Sequence, residues 1–220
     1  MFRPYGMDEG KYLVRLARLA VEEFIKTRKV IEVPSDVPQR LLQDNYGVFT
    51  TIDSFIDGER ELRGGCIGYP RGGKVNTAKA TIDSALAAAF DDPRFTPLRQ
   101  EELNGVTFEV SVLSPLERID VHPRDLPSHI EVGGRHGLVI QHGFSGGLLL
   151  PQVPVEYCWD SMTFLNEACV KASMPPDCWI EDGGVEIYLY EAQIFRETIP
   201  RGGDVEERDL IRELRRCGSK

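Results

Sequence analysis

The sequence predicts an α+β fold: a mixed or antiparallel sheet packed with helices, plus a smaller β-rich subdomain. Three observations carry this expectation. Helical and strand-like segments follow one another irregularly rather than as repeated βαβ units. Several strand-like runs are close enough to be joined as hairpins. One segment, Val106–Leu113, alternates cleanly, with Val106, Phe108, Val110 and Val112 on one face, as a strand should.

The elements follow in order. Asp8 opens a helix of about twenty residues, in which Leu13, Leu16, Ala17, Ala20, Val21 and Phe24 recur at helical spacing. Val33-Pro34-Ser35-Asp36-Val37-Pro38 is a loop by its prolines. Gly47–Ile52 reads as a strand, Ser54–Glu59 as the turn after it, and a second strand runs into Leu62 and Arg63. Asn76 or Thr77 caps a second helix that ends at Phe90. It is so rich in alanine and other apolar residues that it should lie buried against the sheet. Beyond Val106–Leu113, prolines, all four histidines and several glycine pairs interrupt short apolar runs, and residues 116–155 read as the β-rich subdomain. Residues 1–115 and 156–220 form the larger α+β domain, with a helix from Ser161, a long strand over Val185–Phe195 and a charged helix over Asp204–Cys217.

Composition bounds the function. The chain has 220 residues, 41% hydrophobic and 28% charged, enough apolar mass for a sizeable core. A net charge of −9 without a concentrated basic run disfavours nucleic acid as the main partner. No stretch reaches the roughly 20 apolar residues of a spanning helix, so no membrane role is expected. Met1–Tyr5 lacks the apolar core of a signal peptide, and the chain is expected to stay in the cytoplasm. Its five cysteines, with no CxxC pair, are expected to be reduced. Bridges between Cys158 and Cys169, or Cys169 and Cys178, remain open, above all in a hyperthermophile.

The stretch Leu62-Arg63-Gly64-Gly65-Cys66-Ile67-Gly68 is the place where chemistry is expected. Gly64, Gly65 and Gly68 permit close approach of a ligand or of another backbone. Arg63 has the fork that binds carboxylate or phosphate. Cys66 is the candidate nucleophile, provided a cation or helix start stabilises its thiolate. The structural alternative is a tight turn around a buried cysteine, which is where free cysteines usually lie. Asp92 and Arg94, in Asp92-Pro93-Arg94-Phe95, can pair with each other or bind a ligand. Gln152 and Glu156 bracket a proline-rich step after Leu148-Leu149-Leu150 and can satisfy a helix start. All these residues sit where an apolar element ends in a Gly- or Pro-marked loop, which suggests one shared surface site.

Other motifs fail on context. Gly143-Phe144-Ser145-Gly146-Gly147 is a literal G-x-S-x-G. A strand rather than a helix follows it, and no histidine lies downstream, so it reads as a hairpin turn and Ser145 as no nucleophile. His122, His129, His136 and His142 lack the spacing of a helix-borne metal site, and no metal ligand set is assigned. There is no phosphate-loop or dinucleotide fingerprint, so no cofactor is assigned.

Taken in order, the segments Leu62–Gly68, Asp92–Phe95, Glu109–Pro115, Gly147–Glu156 and Lys171–Asp177 resemble the AMMECR family. The name refers to the Alport syndrome, mental retardation, midface hypoplasia and elliptocytosis chromosomal region. The resemblance spans roughly Lys11 to Phe195. The family pattern reads L-R-G-C-I-G, and this chain carries one additional glycine in Gly64-Gly65. The resemblance implies an α+β fold of a larger and a smaller domain. It also implies a component of a modification pathway shared with a Memo-like protein and a radical-SAM enzyme. The chain lacks the C-x-x-x-C-x-x-C motif of the radical enzyme itself. Two functions stay open. One is a binding or accessory module whose cleft around Arg63 and Cys66 holds a small polar or anionic ligand or a protein partner. The other is an enzyme that uses Cys66 or Arg63 on a small polar or anionic substrate.

Overall fold

The computed structural model describes residues 1–69, 73–180, 184–201 and 204–217, except for the side chains of Cys66, Ile67 and Tyr69. The element order is α1 (Met7–Thr27), α2 (Gln39–Gln43), β1 (Gly47–Ile56), β2 (Glu59–Tyr69), α3 (Thr77–Phe90), a 3-10 turn (Gln100–Asn104), β3 (Val106–Leu113), β4 (Glu117–Ile119), α4 (Leu126–His129), β5 (Gly137–His142), β6 (Ser145–Leu149), α5 (Gln152–Glu156), α6 (Ser161–Lys171), β7 (Glu186–Tyr190), β8 (Ala192–Glu197), β9 (Val205–Glu207) and α7 (Leu210–Leu214). The chain divides into two compact units. One holds residues 3–115 and 193–208, the other 1–2, 116–192 and 209–220.

The first unit is built on a five-stranded sheet in the order β2-β1-β3-β8-β9. Strand β3 lies at its centre; the apolar face expected from its alternation is buried, and so is the opposite face with Thr107, Glu109 and Ser111. Helix α1 buries Leu13, Leu16, Ala17, Ala20 and Val21, the stripe expected from their spacing, and Glu9 accepts the N–H of Gly6 at 3.0 Å. Helix α3 starts where Asn76 accepts the N–H of Lys79 at 2.9 Å, a side-chain cap. Its buried alanines Ala78, Ala80, Ala85, Ala88 and Ala89 let it lie close on β1 and β2. Two buried ion pairs hold β8 and the segment after it. Arg18 forks onto Glu197, whose carboxylate also accepts the N–H of Phe108 at 3.0 Å. Arg208 reaches Glu109 at 3.0 Å, with both side chains about 5% exposed or less.

The second unit has a four-stranded antiparallel sheet in the order β4-β7-β5-β6. Its core joins Leu138 and Ile140 of β5 to Phe164, Leu165 and Ala168 of α6, with Trp179 beside them. Asp160 caps α6 by accepting the N–H of Thr163 at 2.8 Å. The G-x-S-x-G stretch is a two-residue hairpin turn. His142 pairs with Ser145, Gly143 takes φ +57°, and the strand β6 follows.

Three expectations are corrected. The charged run over Asp204–Cys217 is not one helix: Val205–Glu207 pairs with β8 as strand β9, and α7 spans only Leu210–Leu214. The apolar run over Val185–Phe195 is not one strand: β7 belongs to the second unit's sheet, β8 to the first unit's, and Glu191 separates them. The cysteines are not all reduced. Cys158 is bonded to Cys217 and Cys169 to Cys178, with Cα separations of 5.6 and 5.9 Å. The first bridge spans 59 residues and joins ends that only the fold brings within bonding reach. Of the two bridges left open from sequence, Cys169–Cys178 forms.

Candidate functional site

The site is built on a strand that is longer than its partner. Val48–Ile56 of β1 is matched against Glu59–Tyr69 of β2, and the register shifts twice. Thr50 faces Ile67 while Thr51 faces Gly65, so Cys66 has no residue opposite. Ile52 faces Gly64 while Asp53 faces Leu62, so Arg63 has none either. Arg63 and Cys66 are therefore the extra residues of two β-bulges on the sheet's edge strand. The glycine pair lies between them. Gly68 stands further along, opposite Phe49.

Glycine is required in this short link. Gly65 takes φ +115°, and a Cβ there would lie 2.5 Å from the carbonyl oxygen of Thr50. A Cβ on Gly64 would lie 2.5 Å from the carbonyl oxygen of Ala88, so the end of α3 rests directly on the bulged backbone.

The turn after α3 grips that backbone. Asp92, 5% exposed, accepts the N–H of Gly65 on Oδ2 at 3.1 Å. Arg94 donates from Nη2 to the carbonyl of the same glycine at 2.6 Å. The two side chains also bind each other, Arg94 Nε to Asp92 Oδ1 at 3.0 Å and Nη2 to Oδ2 at 2.8 Å. Burial alone would raise the Asp92 pKa. The hydrogen bonds from Arg94 and Gly65 and the Arg94 charge together outweigh it and hold the carboxyl below its ordinary value.

Arg63 is turned to a different partner. Its Nε and Nη2 donate to the two oxygens of Glu102 at 2.7 and 3.0 Å, and Nη1 donates to the carbonyl of Thr96 at 3.0 Å. The fork is bidentate. Its hydrogen bonds are the main reason the Glu102 carboxyl lies below its ordinary value; burial opposes them, and the Arg99 N–H assists at 3.0 Å. Residues 92–102 thus bind the bulged strand at both ends of the glycine pair.

The structure brings Arg63, Gly64, Gly65, Asp92 and Arg94 together around the bulged backbone, with the main chain of residue 66 beside them. The thiol of Cys66, the catalytic candidate, lies outside the described residues. Gln152 and Glu156 belong to the second unit, in α5, where Gln152 is 3% exposed and Glu156 faces solvent. Glu102 escaped the sequence reading. It lies 39 residues from Arg63, and adjacent Glu101 offered the same chemistry; only its position three residues after Arg99 marks it as a helix-start acceptor. Among the described residues, no group of three or more His, Cys, Asp or Glu side chains is placed to hold a metal ion. No helix among them is long and apolar enough to cross a membrane.

Two antiparallel sheets carrying helices, with an edge strand bulged at an Arg-Gly-Gly-Cys link, define an α+β protein of a particular kind. The AMMECR1 family model matches residues 14–195, and the chain belongs to that family. A protein of Caldivirga maquilingensis is 63% identical over 219 residues, covering 99% of this chain and 98% of the relative. Protein PAE0745 of Pyrobaculum aerophilum is 57% identical over 217 residues, 99% of each chain. The crystal structure of uncharacterized protein PH0010 from Pyrococcus horikoshii is 44% identical and superposes with a TM-score of 0.86, covering 92% of this chain and 97% of that one.

Proposed function

We propose that this protein is a binding or accessory module, and that the cleft around Arg63 and Cys66, beside the gripped glycine pair of the edge strand β2, is its binding site. One observation carries the reading: Asp92 and Arg94 hold both peptide groups of Gly65 between two bulges. Bulges beside binding sites re-aim a strand, and a strand fixed in this way presents its neighbouring groups without a further ordering cost. The occupant is a small polar or anionic ligand or an extended segment of a protein partner. The resemblance extends the proposal to an accessory role in a cytoplasmic modification pathway, with a Memo-like protein and a radical-SAM enzyme as partners.

The alternative, an enzyme acting through Arg63 or Cys66, is less well supported at Arg63. All three guanidinium nitrogens already donate to Glu102 or Thr96. A titration followed by amide NMR tests the proposal, with inorganic phosphate, acetate and glycine-rich tetrapeptides as probes. The reading expects the largest shifts at Gly64, Gly65 and Gly68. Shifts confined to other parts of the chain would contradict it.

A further inference from the structure

The two disulfides stand in opposite environments. Cys169 and Cys178 are 0% and 7% exposed and belong to the apolar core of the second unit. Cys158 is exposed, Cys217 is partly exposed, and their bridge fastens the chain just beyond α7 to the turn after α5. Cys158 also holds φ +53°, a left-handed conformation uncommon for a side-chain-bearing residue.

Helix α7 begins at Asp209, which accepts the N–H of Arg212 at 3.0 Å, and it buries Leu210. It is five residues long, too short to persist alone. Leu210 and Leu214 dock on the glycine pair Gly133-Gly134, so closely that a Cβ on either glycine would lie 2.5 Å from a leucine carbon. Ile211 is 48% exposed. A partly open cavity of about 610 Å³ is lined by Met1, Ile130, Val132, Arg135, Ile211 and Leu214.

We infer that the Cys158–Cys217 disulfide is a redox-sensitive latch that holds α7 as one wall of this cavity. A dithiol reductant opens the latch. Its thiolate attacks one sulfur of the bridge and forms a mixed disulfide, and the other cysteine leaves as a thiolate. The reductant's second thiol then displaces the remaining cysteine. The reductant ends as a disulfide, and two electrons and two protons end on Cys158 and Cys217. With the tether gone, α7 opens more often from its seat on Gly133-Gly134, and the cavity wall it forms loosens with it. The buried Cys169–Cys178 bridge is out of reach of the attacking thiolate and continues to brace the core.

Titration of the whole protein with dithiothreitol tests this, with trapping by iodoacetamide and peptide mass analysis. Cys158 and Cys217 should become alkylated at roughly one tenth or less of the reductant concentration that exposes Cys169 and Cys178. At that lower concentration, amide exchange over residues 209–217 and 130–135 should accelerate about tenfold, while that of Val106–Leu113 stays unchanged. The variant Cys217→Ser should show the fast exchange without reductant. Simultaneous reduction of both bridges would overturn the inference. So would unchanged exchange at 209–217 after the first bridge opens, a result the wild-type protein gives even if the variant does not fold.

Discussion

Asp92 and Gly65 are joined across 27 residues by one hydrogen bond, from a main-chain N–H to a buried carboxylate. Arg94 returns from the same turn to the carbonyl of that glycine. A strand neighbour would satisfy peptide groups in this way, but here two side chains of a helix-ending turn do it. The grip fixes the sheet edge between the two points where its register with β1 shifts.

Removing the carboxylate charge should therefore weaken the fold measurably. Asp92→Asn is expected to lose about 1.5–3 kcal/mol of unfolding free energy, the range for hydrogen bonds to charged groups. Urea denaturation at neutral pH measures it. A change within about 0.5 kcal/mol, the level of ordinary surface substitutions, would mean the grip is slack.

The same residue sets a pH dependence. The folded carboxyls of Asp92 and Glu102 lie below their ordinary values. A depressed folded pKa contributes stability above the unfolded pKa, and that stability is lost as pH falls through the folded value. The stability gap between wild type and Asp92→Asn should thus narrow as pH drops from about 6 to about 3. Denaturation at a series of pH values reads the gap, and a gap that widens on acidification would reverse the assignment.

Gly65→Ala should be far more damaging than Gly143→Ala. Both glycines have positive φ, but a Cβ at Gly65 meets the Thr50 carbonyl, whereas at Gly143 nothing lies within 4 Å. The hairpin variant should cost about 1–2 kcal/mol through backbone strain alone. The bulge variant adds a steric clash to that strain. Thermal unfolding of the two variants side by side gives the comparison, and equal losses would show that the bulge can relax.

Arg63→Lys should not rescue Arg63→Ala. The pairing with Glu102 uses two parallel N–H donors, and Nη1 serves Thr96 as well. An ammonium reproduces neither the fork nor its reach. A double-mutant cycle of Arg63→Ala with Glu102→Ala should give a coupling of about 1–2 kcal/mol. A coupling near zero would show the pair to be solvent-screened.

Much of the fold could be read in the sequence because its signals are local. The alternation of Val106–Leu113 put β3 inside the sheet, the alanines of α3 required a buried face, and the strand after Ser145 ruled out a hydrolase elbow. What was missed depends on distance along the chain. Glu102 and Cys217 find their partners 39 and 59 residues away, and nothing in their own surroundings announces it. Val185–Phe195 misled for a different reason: its apolar texture continues across Glu191, so the change of sheet leaves no mark in the pattern. At the site, the sequence supplied Arg63, Asp92 and Arg94 as residues of interest. That Arg63 faces Glu102 while Arg94 faces Gly65 follows from the two bulges, which only the register reveals.

The most direct test of the account compares affinities for a probe that shifts the Gly64 and Gly65 amides, measured by titration calorimetry on folded wild type, Asp92→Asn and Cys66→Ser. If the gripped edge strand is a pre-formed binding surface, Asp92→Asn should weaken binding about tenfold or more, while Cys66→Ser stays within about twofold. Unchanged affinity in Asp92→Asn would contradict the claim that Asp92 and Arg94 prepare the strand for its ligand.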